Sequence, residues 1–553
     1  MPKFYKKGSM EYVQSHWGKD FTDNLLDEIS FPDLEEFFVD MMKRADWILD
    51  DQTWNDMEMN RVFCKLNRAY SAPGQQMLYN MLRTLIFDEE ELKRRDRMID
   101  FFLHNREQRE KIACLMFYLG KVEYDGAASL LFKGIPQLPD YAGWAVGLTA
   151  GMAAALISIP FMGLGGLMLS MIMFIVNTVY HQKLNARTEA TIPGVRSIAR
   201  MLIIAQELGN LQIPQLEKNY GSFFRKCVKK CAIIKKKAGG LGAVGADPIG
   251  ILEYAKILFL TEDRAFIRCL HYVEQEAPVL RVLYRKIGEL DAFMSVASFR
   301  RGLRRVTKPV FVKEPRYFKA ENIVHPLLVQ GVPNTLEVHD GNVVITGSNM
   351  SGKSTFLRTL AAGAVMAQTF YTVVADSYEA SFFNILTSIS PSDDLMEGKS
   401  YYMAEAEALL RMVQILEEDR ASLLLIDEIF RGTNPIERVA AASSLLSYLA
   451  RHNTMVIVAT HDIEITQNVA GQYTSYHFSE NVTKDSLDFD YKLKPGILKV
   501  PNGIRILEYL GYPEEITDEA YRETGYIGLT AGDDALEPEE DSEQEIQTKE
   551  DIQ

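Results

Sequence analysis

Cysteine is scarce in this chain and follows no pattern. The 553 residues include five cysteines, an odd number scattered between Cys64 and Cys269. Secreted disulfide frameworks need a denser and even set, so we expect no disulfide partner and a reducing compartment. Cys227 and Cys231 lie one helical turn apart, but no histidine or second cysteine pair accompanies them, so we expect no metal site there. The polar first residues predict no cleavable signal peptide.

Charge is missing from one long segment. From Tyr141 to Gln182 the chain has no Asp, Glu, Lys or Arg. The segment divides near Pro160 into two apolar runs, each about 28 Å long as a helix and close to the ~30 Å hydrocarbon layer of a bilayer. We interpret residues 141–182 as a transmembrane helical hairpin that anchors the protein. The alternative is a buried helical hairpin in a large soluble core.

The ends of this segment suggest its orientation. Trp144 and Tyr180 lie near the outer ends of the two runs, where interfacial aromatic residues are enriched. A hairpin returns the chain to its starting side, so both flanking segments should face one compartment. Lys183 and Arg187 follow directly, which favours the cytoplasmic side for the rest of the chain.

The net charge of −15 is concentrated at the carboxyl end. Residues 533–551 contain ten acidic residues against the single Lys549, a net charge of −9, which leaves −6 for the remainder. Low apolar content and high charge predict an acidic disordered tail over 526–553.

Two basic stretches stand out in an otherwise helical first part. Apolar residues at three- and four-residue spacing predict helices through residues 1–135 and again through 184–310. The stretches Arg225–Lys237 and Arg300–Arg305 can meet phosphates of nucleic acid or of lipid headgroups. They can equally be solvated helix faces.

The most specific motif follows residue 320, where alternating strand and helix patterns predict a mostly parallel sheet. Residues 347–355 fit G-x-x-x-x-G-K-[ST] without a mismatch, between an apolar strand and a helix. Backbone amides of such a loop cradle phosphates, Lys353 would reach the β- and γ-phosphates, and Ser354 would ligate Mg²⁺. The predicted nucleotide-binding residues of this loop are Gly347, Ser348, Asn349, Met350, Ser351, Gly352, Lys353, Ser354 and Thr355.

Two further strands end in candidate catalytic residues. Asp427 and Glu428 follow an apolar strand, and we expect Asp427 to hold Mg²⁺ and Glu428 to orient or deprotonate the attacking water. His461 follows the strand Met455–Ala459, where it can sense the γ-phosphate or polarise that water. The sequence thus predicts an ATPase that uses ATP and Mg²⁺, with Lys353, Glu428 and His461 as its catalytic residues.

These motifs resemble the ATPase signatures of the MutS family of DNA mismatch-repair proteins. The similarity is carried by Thr346–Thr355, by Asp427–Asn434 and by the segment between them, Asp393–Glu405. It weakens upstream but reaches back to about residue 50 through Ser71–Arg83. The resemblance implies an α/β P-loop NTPase domain of the ABC type, preceded by an all-α core.

The resemblance also implies further site residues and partners. Ser400 would reach across a homodimer to the partner's ATP, and Val332 and Asn334 would lie close to the adenine. Asn502–Pro513 resembles the family's dimerisation helices, and DNA is the implied partner. About fifty residues before the core leave no room for the family's mismatch-reading domain. Phe430 replaces the Gly that is usual after the two carboxylates.

These expectations combine into one architecture. We predict a first helical part over 1–139, the hairpin over 140–183, a second helical part over 184–315 and the ATPase domain with dimerisation helices over 316–525. The predicted function is an ATP-dependent, DNA-binding ATPase dimer, membrane-tethered with its ATPase domain on the cytoplasmic side. The alternative is a membrane-associated mechanochemical or regulatory ATPase that acts on a protein or lipid without DNA.

Overall fold

The structure is a computed structural model, and it describes most of the chain. The described residues are 7–19, 29–42, 45–120, 126–238, 251–348, 351–389, 401–417, 419–482, 487–497 and 503–524. Of the predicted features, Asn349, Met350, Ser400 and the tail 526–553 lie outside these ranges.

The first half of the chain is helical, as predicted. Its two short strands, β1 (Trp47–Ile48) and β2 (Thr84–Leu85), pair antiparallel. The helices before the hairpin are α1 (Lys7–His16), α2 (Phe31–Met42), α3 (Asp51–Asp56), α4 (Met59–Leu66), α5 (Ala72–Arg83), α6 (Glu89–His104) and α7 (Arg106–Leu119). The helices of the hairpin and those that follow it are α8 (Trp144–Met162), α9 (Leu164–Thr188), α10 (Ile192–Asn210), α11 (Pro214–Leu216), α12 (Ser222–Lys230), α13 (Ala232–Ala238), α14 (Ile251–Leu258) and α15 (Thr261–Gly302).

The helical core is built around the close contact of α5 with α15. Ser71 caps α5 by accepting a hydrogen bond from the Gly74 amide at 3.2 Å. The buried Asp291 carboxylate of α15 accepts hydrogen bonds from the amide and hydroxyl of Ser71, at 2.8 and 2.6 Å. A Cβ on Gly74 would lie 2.2 Å from that carboxylate, so only glycine permits this approach. The buried charge is therefore satisfied by the helix cap that it holds in place.

Helices α8 and α9 form an antiparallel hairpin whose turn is the single residue Gly163. Both helices are long and apolar enough to cross a membrane, and most of their residues are not buried. Pro160, where the sequence divides, lies inside α8, and the reversal comes at Gly163 because its φ of +55° suits glycine. Both helices expose a large apolar surface.

Helix α15 joins the hairpin base to the second half of the molecule. It has 42 residues, which corresponds to about 63 Å of helix. Near its carboxyl end, the buried Arg300 donates hydrogen bonds to the carbonyls of Phe370 and Tyr371, both at 3.0 Å. Arg300 also pairs with Asp96 at 2.7 Å. One continuous helix therefore connects the apolar hairpin with the α/β part of the chain.

The second half is an α/β unit with two sheets. Its strands are β3 (Val310–Phe311), β4 (Tyr317–Ile323), β5 (Asn334–His339), β6 (Asn342–Thr346), β7 (Ser377–Ala380), β8 (Asn384–Ser388), β9 (Ser422–Asp427), β10 (Thr454–Ala459), β11 (Tyr473–Val482) and β12 (Leu487–Pro495). Its helices are α16 (Lys353–Phe370), α17 (Tyr401–Gln414), α18 (Pro435–Leu449), α19 (Ile463–Asn468), α20 (Gly503–Tyr509) and α21 (Glu514–Thr524).

The larger sheet has the order β12-β11-β6-β10-β9-β8. All neighbours are parallel except the antiparallel pair β11 and β12, so the prediction of a mostly parallel sheet is confirmed. Strands β6, β9 and β10 are buried along their whole length because helices cover both faces. Their carboxyl ends meet at one edge, where ligands bind in open α/β sheets. The smaller sheet has the order β3-β7-β4-β5.

Candidate functional site

The phosphate-binding loop connects β6 to α16. Gly347 and Gly352 have φ values of +146° and +102°, and both are close to neighbours that would obstruct a side chain. A Cβ on Gly347 would lie 2.8 Å from the Phe478 carbonyl oxygen. Lys353, the first residue of α16, is buried, and its Nζ donates to the carbonyls of Gly347 and Ser348 at 2.7 Å each. The loop therefore surrounds its own lysine at the N-terminus of a long helix.

Asp427 ends β9 beside this loop. The Ser354 hydroxyl, on the first turn of α16, donates a hydrogen bond to one Asp427 carboxylate oxygen. The other oxygen, Oδ1, is buried and has no hydrogen-bond partner among the described residues. Burial raises the pKa of Asp427 above its ordinary value, and the neighbouring Glu428 adds to this effect. A bound cation would stabilise the charged form of this buried carboxylate. The Ser354 hydroxyl and the Asp427 carboxylate offer oxygen ligands of the kind that Mg²⁺ prefers.

Glu428 and His461 form the closest ion pair of the site. Glu428 is buried, and its Oε2 lies 2.6 Å from His461 Nδ1, while Arg431 stands 3.6 Å from Oε1. Burial alone would raise the pKa of Glu428, but the hydrogen bond to His461 and the nearby positive charges lower it overall. The same hydrogen bond raises the pKa of His461. Both shifts favour the charged pair, so the two residues hold each other in position.

Backbone strain is concentrated directly after the two carboxylates. Glu428 and Phe430 adopt φ values of +60° and +56°, in the left-handed region that side chains other than glycine rarely occupy. Such residues cost about 1–3 kcal/mol each and cluster at functional sites. Glycine would relieve the strain at 430, which is a physical reason for the Gly that the family pattern has at this position. The Phe430 ring lies against Tyr402, with ring centroids 5.9 Å apart.

Glu405 is a residue of this site to which the sequence analysis gave no role. It lies on α17, is 1% exposed, and its carboxylate faces the backbone amides of Phe430, Arg431 and Gly432. Burial raises the pKa of Glu405, and these amides oppose the shift. A Cβ on Gly432 would lie 2.8 Å from Tyr402, so α17 and this loop are in tight contact. In the sequence, Glu405 is a single carboxylate on an otherwise apolar helix face. This pattern could have indicated a buried carboxylate with a specific partner.

Asn334 is the first residue of β5, and Val332 lies two residues before it. The Asn334 side chain donates to the Tyr491 carbonyl and accepts from the Leu493 amide, both at 2.9 Å. It therefore fixes β12 against β5. The Tyr491 ring approaches within 3.2 Å of a Cβ built on Gly352. Tyr491 is thus a second residue that sequence reasoning missed, because only the fold brings it to the phosphate-binding loop.

Two of the four arginines in the second basic stretch form ion pairs within the protein. Arg300 is buried in the pairs described above, and Arg305 pairs with Asp376 at 2.6 Å. In the first stretch, Arg225 pairs with Glu217, and Lys230 pairs with Glu276 at 2.5 Å. Lys226, Lys229 and Lys236 are exposed. Arg301 and Arg304 of the second stretch are exposed as well.

The arrangement defines a class of protein, a P-loop ATPase domain with its carboxylates at the ends of parallel strands. A family model described as MutS domain V matches residues 343–527. Proteins called DNA mismatch repair protein MutS are similar over longer stretches. That of Thermus thermophilus is 27% identical over 83% of this chain and 60% of its own length, and that of Thermus aquaticus is 26% identical over the same shares. That of Petrotoga mobilis is 32% identical over 49% of this chain and 34% of its own length.

These matches support membership of the MutS family. The chain spans about 60% of the length of the Thermus relatives that it matches. The matched region includes the phosphate-binding loop, Asp427, Glu428 and His461.

Proposed function

We propose that the protein is an ATP-hydrolysing, DNA-binding dimer of the MutS type that is tethered to a membrane. The observation that carries the proposal is the convergence of Lys353, Ser354, Asp427, Glu428 and His461 at one sheet edge. Ser354 and Asp427 would hold Mg²⁺, which neutralises phosphate charge when it is bound. The amides of the loop and the N-terminus of α16 would bind the phosphates.

Glu428 is proposed to position the attacking water and to accept its proton. Its carboxylate is buried, is held in the charged form and is oriented by His461. Lys353 donates hydrogen bonds to two loop carbonyls and would donate to phosphate oxygens of a bound nucleotide. Positioning and charge neutralisation of this kind account for most of the catalysis of phosphoryl transfer.

The dimer is proposed from the family resemblance and from the position of α17. Ser400 would reach the ATP of a partner subunit, as the family resemblance implies. The support in the fold is Glu405, which ties α17 to the loop at 430–432 directly beside Glu428. A change at the partner's nucleotide would therefore be transmitted through Ser400 and α17 to the loop that follows the catalytic carboxylate.

Helix α15 is proposed to carry motion from the ATPase domain to the hairpin. Arg300 binds the carboxyl end of α16, and α16 begins at the phosphate-binding loop. A displacement of α16 would therefore move the end of α15, and the other end of α15 adjoins the hairpin. The proposed arm movement is thus a displacement of α15 that is driven from the ATP site through α16.

A Glu428→Gln variant tests the catalytic role. The amide keeps the shape of the side chain but cannot accept a proton, so we expect ATP binding to persist while turnover falls by about 100-fold or more. Steady-state ATPase rates and binding of a fluorescent ATP analogue measure the two effects. Glu437→Gln, on the exposed first turn of α18, is the matched control. Undiminished turnover in the Glu428 variant would contradict the assigned role.

The alternative function keeps the ATPase and omits DNA, with a protein or lipid as the partner. The internal pairing of Arg300 and Arg305 favours this alternative, whereas the exposed lysines of 225–237 favour DNA. We expect duplex DNA to bind the detergent-solubilised protein at low salt, and the combined change of Lys226, Lys229 and Lys236 to Gln to weaken binding by about tenfold or more. Absence of binding by the intact protein would favour the alternative.

A further inference from the structure

The exposed apolar surface of the hairpin is greatest at its tip. Phe161 is 82% exposed and Leu164 is 76% exposed, on either side of the Gly163 turn. The nearest polar side chains, Ser158 and Ser170, donate their hydroxyl protons to carbonyls of their own helices. A turn that emerged from the far side of a bilayer would lie among headgroups and water. This turn instead carries the composition of a segment surrounded by hydrocarbon.

The base of the hairpin, in contrast, is attached to the rest of the protein. Asn177 is fully buried, and its Nδ2 donates to the Leu258 carbonyl at 2.8 Å. Thr149 donates to the Phe259 carbonyl at 3.0 Å. Helix α14 thus packs alongside α9, with the Tyr254 ring 6.4 Å from the Phe174 ring. The end of α14 covers one side of the base.

Charged residues accompany α14 and limit how deep the base can lie. Lys256 stands between the two contact points of α14, at the level of residues 174–177 of α9. It pairs with Glu262 at 3.7 Å, and both side chains are more than a quarter exposed. Charges at this level are costly inside hydrocarbon. The membrane surface therefore lies on the tip side of residue 174.

The length of hairpin that remains beyond this level matches half a bilayer. Gly151 lies opposite Met173, and Gly166 lies opposite Ile159, which fixes the pairing of the two helices. The free part of α8 then runs from Met152 to Met162 and rises about 16 Å at about 1.5 Å per residue. The hydrocarbon layer of a bilayer is about 30 Å thick, so one leaflet contributes about 15 Å.

We propose that the hairpin inserts into one leaflet of the membrane and does not cross it. The acyl chains of the cytoplasmic leaflet would surround residues 152–172, and Tyr254 would lie at the headgroup level. This inference rests on the proposed membrane attachment and replaces a spanning hairpin by a monotopic one. It places the tip at the bilayer midplane.

Depth-dependent fluorescence quenching tests this depth. The full-length protein with Phe161→Cys, or with Ile175→Cys as the matched position near the base, is labelled with a small environment-sensitive dye. The native cysteines are all buried. The labelled protein is placed in vesicles of phosphatidylcholine and phosphatidylglycerol that contain nitroxide lipids, with the nitroxide either near the headgroup or near the chain end.

A one-leaflet hairpin predicts that the deep nitroxide quenches the dye at 161 more strongly than the shallow one, by about twofold, and that the order reverses at 175. Stronger quenching at 161 by the shallow nitroxide would place the tip at the opposite headgroups and overturn the inference, while the membrane attachment would stand. Protein that does not float with the vesicles would instead overturn the attachment itself.

A charged substitution gives a second, independent measurement. Phe161→Arg would place a charge at the midplane, and we expect vesicle binding to fall by about 100-fold. Gln182→Arg, outside the inserted part, should leave binding unchanged, and ATPase activity in detergent would show that both variants fold. Full vesicle binding by the folded Phe161→Arg protein would contradict a tip at the midplane.

Discussion

Helices α8 and α16 are two apolar helices of nearly equal length with opposite surroundings. Helix α16 has 18 residues, and 15 of them are buried between the parallel sheet and the helical core. Helix α8 has 19 residues and buries only Ala145, Met152 and Ala155. Apolar composition therefore does not distinguish a buried core helix from an exposed one. The two helices differ because other elements of the fold cover α16 on all sides but leave most of α8 exposed.

The largest contrast should appear when the same kind of side chain is shortened in each helix. Leu360 of α16 is fully buried, so Leu360→Ala should reduce the free energy of unfolding by about 2–5 kcal/mol through lost contacts and a cavity. Ile157 of α8 is 67% exposed, so Ile157→Ala should cost less than about 1 kcal/mol in detergent. Denaturant unfolding of both variants measures the difference. Equal losses would mean that α8 is packed against protein.

Acid should lower the stability of the region around the buried helix α16. His325 packs near Arg358 of α16, and burial lowers its pKa from 6.5 to about 4. Its Nδ1 accepts from the Leu327 amide at 3.3 Å. Between these two pKa values the unfolded chain binds a proton that the folded protein does not. The free energy of unfolding should therefore fall by up to about 3 kcal/mol as the pH falls from about 6.5 to 4.

This acid effect can be assigned to one residue. Unfolding in urea at several pH values should show a smaller pH dependence for His325→Asn, whose side chain can accept the same hydrogen bond without titrating. His339→Asn, at an exposed histidine, is the control and should behave like the unmodified protein. The assignment would be wrong if both variants kept the full acid sensitivity.

The smallest expected effect concerns the contact between the two hairpin helices. A Cβ on Gly166 would lie 2.7 Å from the Ile159 backbone, whereas a Cβ on Gly165 would meet only Met162 atoms at 3.9 Å. Gly166→Val should therefore destabilise the hairpin by about 1–3 kcal/mol, and Gly165→Val should not. The melting temperature of the helical signal in detergent compares the two. Identical melting would show that the helices are not held at this distance.

The parts of the fold and site that can be predicted from sequence are those coded by local pattern. The strand at 422–427 and the loop at 347–355 each have a short motif that fixes residue types at close spacing. The apolar runs predict two helices, with a division near Pro160. The turn lies instead at Gly163, because the reversal requires a positive φ that glycine adopts readily. The remaining features depend on distant residues. Glu405, Tyr491 and the pairing of Arg300 with Asp96 join segments far apart in the chain, and no local pattern specifies them.

The central claim is that one molecule combines a MutS-type ATP site with attachment to a membrane. Flotation of the full-length protein with vesicles of phosphatidylcholine and phosphatidylglycerol, followed by an ATPase assay of the floated fraction, tests it most directly. The account predicts that unmodified protein floats and hydrolyses ATP, and that Glu428→Gln floats equally but has lost turnover. Active protein that stays at the bottom of the gradient, or floated protein without ATPase activity, would contradict it.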